Sequence, residues 1–159
     1  MDFEGIENEI IEALDDLSND KIEVIPMPES EADFVRDFED ARITVAFNGL
    51  KSDNPVTMRE VAQDDRHTVA IVIQSRRLRG DSGAYSLYKR IRAKIAGFSC
   101  TGCEPFISRS FDLISDENDL FTWLALFECS EMQVPETDYE PQLIPVIKQI
   151  ETNVNINQN

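Results

Sequence analysis

Val69-Ala70-Ile71-Val72-Ile73 is apolar at every position, with Thr68 before it and Gln74 after it. A strand that alternated between core and water would show polar residues at every second place. This one does not, so it predicts a central strand whose two faces are both covered. The arginine-rich turn Ser75-Arg76-Arg77-Leu78-Arg79-Gly80 follows at once, and then an amphipathic helix over Gly83–Phe98. The buried stripe of that helix is Ala84, Tyr88, Ile91, Ile95 and Phe98, with Leu87 beside it. Asp81 or Ser82 is expected to cap its start, and Gly97 to take a left-handed conformation at its end.

The other elements assemble around this centre. Phe3, Ile6, Ile10, Leu14 and Leu17 recur at spacings of three and four, which predicts a helix over Phe3–Leu17 with Ile11 widening its stripe. Ile22–Pro26 reads as a short strand. Glu29–Ala41 fits a short helix or an ordered loop. Ile43–Phe47 reads as a strand ended by an Asn48-Gly49 turn, and Lys51–Arg66 as a long polar loop. Phe106–Ile114 and Leu120–Cys129 flank Ser115–Asp119 as an antiparallel hairpin. The order helix, strand, strand, strand, helix, strand, strand predicts an α+β fold. It has a mainly antiparallel sheet of four to five strands, with two main helices on one face. Residues 1–134 form the domain. Residues 135–159 form an extension expected to dock on a partner.

Charge is distributed unevenly along the chain. Residues 1–66 hold 19 acidic and 6 basic side chains, residues 67–110 hold 2 and 8, and residues 111–159 hold 10 and 1. The net charge of −16 is the opposite of what free nucleic-acid binders carry, because phosphate contacts dominate their affinity. An acidic protein with a basic centre instead suits contact with copies of itself. Arginine pairs well with carboxylates across an interface. Arg76, Arg77, Arg79, Lys89, Arg90, Arg92 and Lys94 are therefore the candidate interface residues. The competing reading is that they pair within the chain, with the acidic N-terminal helix. No run approaches the ~20 apolar residues of a membrane span. The acidic start Met1-Asp2-Phe3-Glu4 is unlike a signal peptide, so the expectation is a cytosolically made, non-membrane protein.

Motifs for chemistry are sparse. Cys100-Thr101-Gly102-Cys103 has redox or metal spacing, and Cys129 and His67 are the available further ligands. They do not form a second close pair, and the motif follows a helix where a redox motif would precede one. The three cysteines are expected to be dispensable for assembly, with packing roles at most. There is no glycine-rich phosphate loop, nucleophile elbow or zinc-protease helix. No catalytic residue, metal or cofactor is assigned, and the chain is not expected to be an enzyme.

Several of these features together resemble a known family. They are Ile6-Glu7-Asn8-Glu9-Ile10-Ile11 in the first helix and the strand ending in Arg76-Arg77-Leu78-Arg79-Gly80. Gly83-Ala84-Tyr85 leading to Leu87, Ile91, Arg92 and Gly97-Phe98 follows, with the aromatic strand Phe121-Thr122-Trp123. Over roughly Phe3–Glu128 the chain resembles the tail-completion proteins, or tail terminators, of Mu-like contractile-tailed phages. The resemblance implies a subunit that closes into a ring, usually of six. The ring caps the tail tube, stops its polymerisation, faces the head-side connector and lies near the last sheath ring. It implies a virion protein at the head-proximal end of the tail, assembled in the host cytoplasm, with DNA only passing through the lumen. An acidic lumen would repel the duplex, and Asp53, Asp64, Asp65, Asp116, Glu117 and Asp119 are the candidates to line it. Within the same structural class, a head–tail connector (neck) protein or a tube-like subunit has a similar small fold. From another class, a small metal- or thiol-dependent enzyme would rest on the cysteines and His67.

Overall fold

The computed structural model describes residues 2–55 and 62–133. Its elements run α1 (Phe3–Ala13), β1 (Ile22–Pro26), α2 (Glu31–Phe34), β2 (Ala41–Ser52), β3 (Gln63–Ser75), α3 (Ala84–Ile95), β4 (Ile107–Ser115) and β5 (Phe121–Gln133). The five strands form one sheet in the order β1-β2-β3-β5-β4. Only β1 and β2 pair in parallel; the other pairs are antiparallel. The fold is the expected α+β arrangement.

Alternation along the strands sorts the side chains. Ile43, Val45, Val69, Ile71, Ile73, Ala125 and Phe127 turn to the face covered by α1 and α3 and are fully buried there. From the helices come Ile6, Ile10, Leu14, Leu17, Leu87, Ile91 and Ile95. Asp2 caps α1 by accepting from the Gly5 N–H at 2.8 Å. The helix tightens to a 3₁₀ turn at Asp15–Leu17 rather than running on as α-helix. The carboxylate of Glu7 accepts from the Phe47 N–H at 2.9 Å and ties α1 to β2. Tyr88 of α3 stacks on Phe111 of β4 with ring centroids 3.8 Å apart, and Phe111 stacks on Trp123 of β5 at 4.5 Å.

The second face of β3 is buried too, as its sequence requires: Ala70 is 5% exposed and Val72 8%. At one end of this face the chain around α2 is held by Arg42, which is 0% exposed. Its guanidinium pairs with Glu23 at 2.9 Å and donates to the carbonyls of Phe34 and Arg36 at 2.9 and 2.6 Å. The Phe38 ring lies against the guanidinium, 4.7 Å from its carbon. The acidic segment Glu29–Ala41 is therefore a four-residue helix and an ordered crossover pinned to the sheet.

Two expectations are corrected. Asn48-Gly49 is no turn: β2 continues through it with a bulge between Phe47 and Gly49, where Gly49 takes φ +140°. Lys51–Arg66 is no continuous loop. Lys51 and Ser52 pair with Arg66 and Asp65, so both sides of the hairpin run on as strand. This extension carries polar residues on both faces, the buried Asp65 among them, so no apolar alternation records it in the sequence. The expectations for the extension 135–159 lie outside the described residues.

Candidate assembly surface

The arginine turn and α3 form one constructed unit. The buried Ser75 hydroxyl lies 2.8 Å from the carbonyls of both Arg77 and Ser82 and accepts from the Arg77 N–H at 3.2 Å. The Ala84 N–H donates to Arg77 C=O and the Tyr85 N–H to Leu78 C=O, at 3.0 and 3.1 Å. These bonds satisfy helix-terminal donors that a side-chain cap otherwise serves. The cap residue is accordingly Gly83, without a side-chain bond, and neither Asp81 nor Ser82 caps the helix. Gly83 is required by space: a Cβ there would lie 2.5 Å from the Arg79 carbonyl. Gly97 does take the left-handed conformation, with φ +88°.

The seven candidate cations divide into two groups. Arg76 turns back onto the α2 crossover. It pairs with Asp37 at 2.6 Å and donates to the carbonyls of Glu39 and Phe38 at 2.8 and 3.0 Å. Lys94 pairs with Asp16 at the end of the first helical region at 2.5 Å, which pulls the Asp16 carboxyl below its ordinary pKa. Arg77, Arg79, Lys89, Arg90 and Arg92 are exposed. Among the described residues none of these five has a carboxylate within 4.0 Å. The Arg79 guanidinium lies over the Tyr85 ring at 5.9 Å. Arg77 and Arg79 stand at the start of α3, and Lys89, Arg90 and Arg92 on its outer surface.

The six candidate carboxylates are not brought together. Asp53 pairs with Arg66 at 2.6 Å and raises its pKa. Asp64 is half-buried beside it on the same hairpin. Asp65 is only 7% exposed and accepts from the Ser52 hydroxyl, so it presents no surface charge. Its inclusion as a lumen residue is corrected: in β3 it belongs to the helix-covered face. Asp116, Glu117 and Asp119 are exposed at the β4–β5 tip, next to Phe121, which pairs with Ser75. The tip and the Asp53–Asp65 hairpin therefore stand at opposite ends of β3, ten residues or about 33 Å apart.

The cysteines occupy the far end of the helix-covered face. Cys100 and Cys129 are buried, and Cys103 is half-buried. The Cys100–Cys103 segment is a turn tied to α1, because the Thr101 N–H donates to the Glu9 carboxylate at 3.0 Å. Buried His67 sits by Phe3 and Phe47, with Nε2 3.2 Å from the Glu131 carboxylate but out of line for a hydrogen bond. Among the described residues, no three His, Cys, Asp or Glu side chains converge to hold a metal ion. Burial pushes the Cys100 thiol up to about 12 and raises that of Cys129 as well. A thiol whose pKa is raised on folding stabilises the native state below the unfolded value near ~8.5–9. That stability is lost as pH rises toward the folded value. The urea midpoint is expected to fall above about pH 9, and to fall less steeply in Cys100→Ala/Cys129→Ala. Equal slopes for the two proteins would assign the alkaline loss to other groups.

No helix among the described residues is long and apolar enough to cross a membrane. No curated protein matches the chain. A family profile described as Gp37 protein matches residues 10–153. The match takes in every strand, α2, α3, the last four residues of α1 and the sequence beyond β5 as far as residue 153. On that match, the chain belongs to the phage-related Gp37 protein family.

Proposed function

We propose that this chain is a structural subunit of a phage particle: a tail terminator that closes into a ring, with six copies as the expected number. The observation that carries the reading is the set of five exposed cations on the arginine turn and α3, on a chain of net charge −16. Cations without carboxylate partners among the described residues of an acidic protein meet their complement most readily on another copy. The ring caps the tail tube beside the last sheath subunits and offers its other side to the head connector. DNA passes through without being bound, and the exposed tip Asp116–Asp119 is the acidic element available to face it. The protein works by contact and not by chemistry, with no metal or cofactor. Its place is the head-proximal end of the tail.

The test is Arg77→Glu/Arg79→Glu, which leaves the internally paired Arg76 in place. Light scattering is expected to show the wild type at ring mass and the variant at subunit mass, with the circular dichroism of the two unchanged. A variant that keeps ring mass would remove the arginine turn from the contact.

A further inference from the structure

A shallow groove of about 460 Å³ runs along the outer side of α3. The Tyr88 ring and the small side chains of Ala93 and Ala96 line it, and Lys89 and Arg92 stand at its rim. Both cations lack a carboxylate partner among the described residues. Such a groove takes a segment that is both acidic and apolar. The chain itself contains one. Beyond β5 the sequence carries Glu136, Asp138 and Glu140 around Tyr139 with no basic residue, and then Leu143, Ile144, Val146, Ile147 and Ile150.

We infer that the α3 groove of each copy receives the segment 136–150 from a neighbouring copy. This deepens the ring reading and rests on it. Three observations support it. The charges are complementary: the carboxylates of Glu136, Asp138 and Glu140 against Lys89 and Arg92, which have no carboxylate partner among the described residues. The connecting stretch is long: the ten residues from Gln133 to Leu143 span up to about 35 Å when extended. The family match also continues to residue 153, so the segment belongs to what the family shares. A contact from the end of one copy to the flank of the next is heterologous, and repeated round a rotation axis it closes a ring.

A charge-swap mixing experiment on full-length chains tests it. The groove variant is Lys89→Glu/Arg92→Glu, and the segment variant is Glu136→Lys/Asp138→Lys/Glu140→Lys. Circular dichroism checks that each is folded, and native mass spectrometry reads assembly. Each variant alone is expected at subunit mass, because like charges then face each other at every contact. An equimolar mixture is expected to regain ring mass with equal numbers of both chains, because every alternating contact is again complementary. If each variant alone keeps ring mass, the inference falls while the ring stands. If both fall to subunit mass and the folded mixture stays there, the segment does not bridge copies and the inference is overturned. A wild type at subunit mass overturns the ring and this contact together.

Discussion

Arg42→Met is expected to lower the unfolding free energy by roughly 3–5 kcal/mol, the usual loss when one partner of a buried ion pair is removed. The side chain is wholly buried and holds three separate groups: the Glu23 carboxylate and the carbonyls of Phe34 and Arg36. Methionine fills much of the space but leaves both carbonyls without their donor and takes from the Glu23 carboxylate one of its two arginine partners, Arg36 being the other. The damage should be local as well as global. Amide exchange is expected to rise first in Ser30–Phe38, because Arg42 links that stretch to the sheet. Uniform acceleration across the sheet, with the crossover no worse than β3, would show that Arg42 does not pin it.

Phe127→Ala is expected to cost about 3–5 kcal/mol, from lost transfer energy and the cavity left beneath the helices. Phe127 is fully buried on the helix-covered face. Leu126, one residue earlier, turns to the other face and is half-buried. Leu126→Ala should cost at most about 1.5 kcal/mol, in proportion to the smaller apolar area it removes from water. Urea midpoints of the two single variants measure the difference. Equal losses would mean that the second face is covered as completely as the first.

The centre of this fold was legible because packing wrote it into consecutive residues. Val69–Ile73 must be apolar on both sides to sit in the middle of the sheet, and Phe121–Phe127, apolar at every position but Thr122, lies beside it between β3 and β4. The outer hairpin was not legible. Lys51, Ser52, Asp64 and Arg66 form strand by backbone pairing beyond the core, and no side-chain period records that. Asn48-Gly49 carries the usual chemistry of a turn, yet the same tolerance for unusual backbone serves a bulge. Arg42 was missed because a charged residue at a strand's start reads as an edge. The signal lay in its register partner, Glu23, which becomes visible only once β1 and β2 are taken as parallel. The basic surface was legible as a composition bias. Which members were already used was not, since Arg76 and Lys94 find partners 39 and 78 residues away.

The flanks of the sheet bear on how copies of this protein join. Among the described strands β1 and β4 are the outermost, and each is poorly suited to adding another strand. β1 has five residues and ends in Pro26, which lacks a donor. β4 is broken by register shifts between Ser108 and Ser110 and between Leu113 and Ser115, irregularities that twist an edge out of reach. A sheet guarded on both flanks resists growing sideways into fibres. For a subunit crowded beside identical subunits, that guard turns association toward side-chain contacts, whose geometry can close on itself and stop.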